Sequence, residues 1–109
     1  MIGKYVQPGK NLDYTNAGSD TIAAGTVVSL TTRVGIAAGD IAAGAVGALA
    51  VEGVFAFAKD NAAITLGAAV YYDATNGVMT ATATDNVPAG YAVAAAAAAD
   101  ATVVVKLLG

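Results

Sequence analysis

The chain has 109 residues, a net charge of −3 and neither Cys nor His. That length holds one domain, and the missing residue types exclude a disulfide scaffold, Ser-His and Cys-His nucleophile pairs and the commonest metal ligand. The five basic residues, Lys4, Lys10, Arg33, Lys59 and Lys106, are scattered along the sequence, which argues against the clustered positive charge that nucleic-acid binding needs. Of the 62 apolar residues 28 are Ala. Each buried methyl contributes about 0.8 kcal/mol at most, so the core is thin and association with further subunits is expected.

In chain order, nothing marks a linker or a second domain. The segment KNLDYT (residues 10–15) alternates Leu12 and Tyr14 with polar neighbours, the pattern of a half-buried strand. TVVSLT (26–31) is a second strand, and RVGIAA (33–38) pairs with it. GALAVEGVFAFAK (47–59) is the longest strand region; Val51, Gly53, Phe55 and Phe57 share one face, Glu52, Val54 and Ala56 the other. Gly53 in its middle signals a bulge or bend. AAVYYD (68–73) and VMTATAT (78–84) flank ATNG, where Asn76 and Gly77 suit the positive φ of a type I′ hairpin turn. The chain closes with a turn at 88–90, a strand over 90–96, a turn at Asp100 and a strand over 102–107. Local propensity in the alanine run 94–99 favours helix instead.

A short pattern recurs: Ile22, Ile41 and Ile64 are each followed three residues later by Gly25, Gly44 and Gly67. It reads as a corner, in which the Ile plugs the core and the Gly makes the turn. The intervals are unequal, so no solenoid is expected. Frequent turn signals between short β-branched segments give an all-β fold class, a compact small barrel or sandwich.

Chemistry-bearing patterns are sparse. The seven Asp sit mostly beside Gly, Asn, Ala or Thr, which is turn chemistry. Glu52 lies inside an apolar strand and reads as an outward-facing or subunit-interface carboxylate. With it, Arg33 and Tyr72 are expected at a subunit interface. There is no phosphate-binding Gly-rich motif and no EF-hand loop. Residues 91–108 barely reach the membrane-spanning length of about 17–25 residues and include Asp100 and Lys106. No cofactor, metal, small-molecule substrate, nucleic acid, membrane or enzyme activity is expected.

Three blocks carry a resemblance: YVQPGKNLDYT (5–15), VEGVFAFAKD (51–60) and LGAAVYYDATNGVMTATATDNVPAGYAVAAA (66–96). In the last, the order G-x-x-V-Y-Y-D-A-T-x-G, a Thr-rich strand and G-Y-A is the most specific feature. These resemble the small capsid-cement, or head-decoration, proteins of tailed bacteriophages along essentially the whole chain. The resemblance implies a structural virion protein on the outer capsid surface, synthesised in the host cytoplasm. It implies binding to the major capsid protein, as a homotrimer at capsomer junctions, and reinforcement of the shell against DNA pressure. It also implies an extended N-terminal arm, residues 1–10, that lies on the capsid lattice with Tyr5, Val6, Gln7 and Pro8 as contacts, ahead of a single β domain over residues 11–109. The nearly pure Ala stretch after Tyr91 departs from the family's usual mix. A second reading is a small β-sandwich adhesion module that recognises a surface glycan or protein through Tyr71, Tyr72 and Asp73.

Overall fold

The computed structural model describes residues 1–108 and contains nine strands, with no helix among the described residues. They are β1 (Asn11–Thr15), β2 (Val27–Ser29), β3 (Val34–Ala37), β4 (Val46–Ala50), β5 (Glu52–Ala58), β6 (Ala69–Asp73), β7 (Val78–Thr80), β8 (Val87–Ala92) and β9 (Thr102–Leu108). Two antiparallel sheets result, ordered β1-β4-β3-β2 and β5-β9-β8-β6-β7. The fold is all-β, in the manner of a sandwich. The second sheet curls until an isolated bridge, Lys59↔Met79, brings β7 to the end of β5. β2 and β3 pair as the sequence predicts, from Val27↔Ile36 to Ser29↔Val34.

The long strand expected over 47–59 is two strands in different sheets. Val51 is the joint: it is buried, and its N–H donates to the Lys10 carbonyl at 3.0 Å instead of continuing a ladder. Gly53 follows at φ 122°, a conformation that disfavours any side chain. The predicted alternation survives in β5, where Phe55 and Phe57 are half-buried and Glu52, Val54 and Ala56 exposed.

The two sheets share one plan. The order β1-β4-β3-β2 corresponds strand for strand to β5-β9-β8-β6, with β7 added by a longer hairpin excursion. Each half has a pair of bridged corners, Ile22↔Ile41 in the first and Ile64↔Ala96 in the second. A β-turn follows each bridge residue: Thr26, Ala45, Ala68 and Asp100 donate their N–H to the carbonyls of Ala23, Ala42, Thr65 and Ala97 at 2.9–3.1 Å. Gly25, Gly44 and Gly67 take the third turn position at φ 85°, 75° and 81°, the type II geometry that favours Gly. Finer bonds repeat as well. Gly25 N–H donates to Ala37 O and Ala37 N–H to Thr26 O; likewise Gly67 to Ala92 and Ala92 to Ala68.

The fourth corner lies inside the alanine run. Ala96 stands where the other corners have Ile, and the Asp100 carboxylate accepts the Ala97 N–H at 2.8 Å. The strand expected over 90–96 is therefore corrected to Val87–Ala92, and the run beyond it is corner and turn. Pro88 and Gly90, read in the sequence as turn, belong to this strand. Pro88 is tolerated because β9 pairs with β8 only over Gly90–Ala92.

The β6–β7 hairpin also differs from expectation. Four residues, 74–77, join Asp73 to Val78, and among them Gly77 alone has positive φ. The turn is not type I′. The Asp73 carboxylate organises it, accepting from Asn76 Nδ2 at 2.7 Å and from the N–H groups of Thr75 and Asn76 at 3.0 and 3.2 Å. These bonds, the Asn76 side chain foremost, hold its pKa below the ordinary 3.8. A lowered native pKa means that the contribution is present above the unfolded value and is lost as pH falls through the native one. NMR titration of the Asp73 carboxyl is expected to give a midpoint below 3.8; a midpoint at or above that value would sink this account of the loop.

The main core cluster lies largely in the second sheet: Ile64, Val70, Met79, Ala89, Ala92, Ala96, Val103, Val105 and Leu107, joined by Val34 and Ile36 of β3. β3 is buried along its whole length and ties the two sheets together. Two buried polar residues, Asn16 and Lys59, occupy matching places after β1 and β5. Asn16 Nδ2 donates to the carbonyls of Asp20 and Ile41 at 2.7 and 2.9 Å. The Lys59 ammonium reaches four carbonyls, of Asp60, Ala97, Ala98 and Asp100, at 2.8–3.4 Å. It thereby holds the alanine corner, which has no large side chain to anchor it. Lys59→Met is expected to lower unfolding stability by about 2–3 kcal/mol, the scale of hydrogen bonds to a charged group. Urea denaturation measures this, and an unchanged midpoint would contradict the bracing role.

Candidate docking surface

Residues 1–10 are exposed throughout and form no strand. The arm is nevertheless apolar, with Met1, Ile2, Tyr5 and Val6 all at least 79% exposed. Its base is fixed by local bonds. Gln7 Nε2 donates to the Asn11 carbonyl at 3.4 Å, and the Lys10 carbonyl accepts from Val51. Pro8 removes one backbone donor and fixes its own φ, which favours an extended course into β1.

The foot of the arm opens onto the seam between the two sheets. A cleft of about 370 Å³ lies there, lined by Lys10, Glu52, Gly53, Lys106, Leu107 and Leu108. A second, of about 210 Å³, is lined by Thr32, Arg33, Val34, Pro88, Ala89 and Leu108. The two clefts share Leu108, which is 67% exposed at the end of a strand whose Val103, Val105 and Leu107 point into the core. The Lys106 ammonium stands 5.8 Å from the centroid of the Tyr91 ring, a cation–π contact that holds it near the surface of the sheet.

The structure thus places Glu52 and Arg33 in neighbouring clefts, one on either side of Leu108. Tyr72 is not with them. It sits on β6 opposite Met79 and Val87, half-buried against the core. Tyr5, Val6, Gln7 and Pro8 all lie on the exposed arm. Tyr71 is half-buried and the Asp73 carboxylate is occupied by its own turn, so the three residues considered for an adhesion site do not form an open cluster. No group of three or more His, Cys, Asp or Glu suited to a metal ion occurs among the described residues. Lys10, Lys106 and Leu108 were not singled out by sequence reasoning. The seam joins residues about a hundred positions apart, and the one local signal is a large apolar side chain, Leu108, at an outward position of the β9 alternation.

This arrangement offers extended backbone, apolar side chains and a few charges, which is binding equipment. Open strand edges add to it, since β1 and β5 each have a partner on one side only within their sheets. No curated protein and no solved structure gives a significant match to this chain. The sequence model of one family, described as phage cement protein, does match, over residues 6–107, from the arm through β9. With nearly the whole chain covered, the protein belongs to the phage cement protein family.

Proposed function

We propose that the protein binds the outer surface of a tailed-phage head, on the major capsid protein, and cements the shell as a homotrimer. The family match over residues 6–107 carries this reading. The exposed apolar arm supports it, because such a segment gains most of its burial from a partner. A thin, Ala-rich core that gains stability by assembly fits the same role. Tyr5, Val6, Gln7 and Pro8 are the proposed arm contacts, and Glu52 and Arg33 lie where a neighbouring subunit or the shell would meet the seam.

Co-sedimentation with heads that lack cement protein tests the binding, and light scattering tests the assembly state. Saturable binding is expected, together with a solution mass three times the 10.5 kDa of the chain or, on the decorated shell, density in groups of three. Failure to bind expanded heads would overturn the capsid assignment. Binding in groups other than three would overturn the trimer alone.

A further inference from the structure

We infer that the free edge of β1 receives the tip of the N-terminal arm of a second copy, residues Met1–Gly3, as a short parallel strand with Ile2 at its centre. This rests on the shell-bound assembly proposed above and adds which segment of one copy locks onto which edge of the next. The two halves of the chain correspond pair by pair. Leu12↔Leu49 and Tyr14↔Gly47 in the first match Phe55↔Val105 and Phe57↔Val103 in the second. Val28↔Gly35 and Ala37↔Leu49 match Val70↔Gly90 and Ala92↔Val105. Asn16 and Lys59 end the matching strands, their N–H groups donating to Ala45 O and Ala101 O.

One element has no counterpart. In the second half β7 returns to the end of β5, where Met79 bridges Lys59 in parallel and its carbonyl accepts the Asp60 N–H at 3.0 Å. Met79 is 0% exposed and belongs to the main core. In the first half the chain passes from β2 to β3 through residues 30–33 alone, and β1 pairs only with β4. Backbone groups alternate sides along an antiparallel strand. Lys10 O and Asn16 N–H face β4, so those of Asn11, Asp13 and Thr15 face outward, and Ala17 continues the row. Ala17 stands where Asp60 does, and among the described residues no group accepts its N–H. Leu12 and Tyr14, beside this edge, keep part of their surface exposed. The first half thus lacks the short strand that its twin possesses.

The arm has the matching properties. It is exposed, apolar and in no strand, and Ile2 is 95% exposed. Its first three residues equal β7, Val78–Thr80, in length, with Ile2 in the place of Met79. Direction decides between the chain's own arm and another's. The arm runs into the first residue of β1, so folded back along that strand it would lie antiparallel. A parallel bridge of the Met79 kind therefore comes from a second copy. Nine extended residues reach about 30 Å, more than the 22 Å least extent of the molecule, so an adjacent copy is in range. Arm to edge is a head-to-tail contact, which closes into a ring when the rotation allows, in keeping with a trimer. Three strand residues are too few to hold free copies together against the entropy of association. On the shell the neighbours are already in place, and the same contact gains from their effective concentration.

The chain has no Cys, so single substitutions give clean cross-links. Gly3→Cys, where a Cβ has open space, and Ala17→Cys, at an exposed position, become neighbours in the parallel register. Cement-free expanded heads are decorated with an equal mixture of the two single variants and oxidised mildly. A disulfide-linked species of twice the 10.5 kDa chain mass is expected from the mixture. Its yield is expected to be about tenfold that from either variant alone, or from a mixture with Ala62→Cys in place of Ala17→Cys. Ala62 is exposed in the second-half loop that matches the one holding Ala17. Adding Ile2→Asp to the Gly3→Cys chain is expected to cut the yield about tenfold at equal occupancy, because a carboxylate resists the burial that Ile2 gains. A benzophenone attached to the Ala17→Cys variant identifies the chain that covers the edge, with another copy expected. No linked species on saturated heads, an equal yield from the controls, or capture of the shell protein by the benzophenone would overturn the assignment. Each is read on heads that bind the protein, and so differs from failure of the capsid-binding reading, in which the parent itself does not bind.

Discussion

Gly90→Ala is expected to prevent the second sheet from assembling. A Cβ at this position would lie 1.9 Å from the Lys106 carbonyl oxygen, 2.8 Å from its carbon and 3.1 Å from Leu107 Cα. All three are backbone atoms, so no rotamer change relieves the clash. β8 and β9 would have to separate across Gly90↔Leu107, Tyr91↔Lys106 and Ala92↔Val105. β9 carries Val103, Val105 and Leu107, a large part of the main core. Gly35 and Gly47 make a useful contrast. A Cβ there would meet the side chains of Leu49 and Ile41 at 2.5 Å, and side chains can shift at a cost of about 1–3 kcal/mol. At Gly90 the cost exceeds that range and consumes much of a total stability of about 5–15 kcal/mol. Soluble yield and the circular-dichroism melt report it, with loss of the folded protein expected. A Gly90→Ala variant that melts with the parent would contradict the observed closeness of β8 and β9.

Removal of residues 1–9 is expected to abolish capsid binding and leave the domain folded. None of these residues belongs to a strand, and all are exposed. The cut spares the Lys10 carbonyl and its bond to Val51, so the start of β1 and the joint between the sheets keep their anchor. On the binding side the loss is large, because Ile2, Tyr5 and Val6 are the most exposed large apolar residues after Met1. An extended segment also carries a row of backbone donors and acceptors that strand addition would satisfy. The truncated protein is expected to keep its melting midpoint and to remain in the supernatant when heads are pelleted. Undiminished pelleting would remove the arm from the account.

Much of the fold is legible in the sequence because it is local. β-branched segments between turn residues give the strands, and the three Ile-x-x-Gly corners carry their own geometry in Ile22, Ile41 and Ile64. The illegible parts depend on distant partners. Nothing near Val51 announces that the chain changes sheets; the cause is a bond from Lys10, forty-one residues earlier. The fourth corner hides in the alanine run because its anchor is supplied from outside, by the Lys59 ammonium. That same distance makes Lys59 read as one more scattered surface cation. Pro88 reads as a turn residue, and the structure places it in β8 with a strand partner on the β6 side only, opposite Tyr71, because the pairing with β9 covers Gly90–Ala92. The docking surface follows the same rule. The arm residues are contiguous and can be named from sequence, whereas the seam gathers residues 10, 33, 52, 106 and 108 only after folding.

Shell reinforcement is the central claim, and the rupture temperature of expanded heads tests it most directly. Heads without cement protein are compared with the same heads after saturation by the purified chain, and DNA release is followed on heating. The account predicts a higher release temperature that rises with occupancy and saturates when the shell is filled. Saturated binding with no change in release temperature would contradict it.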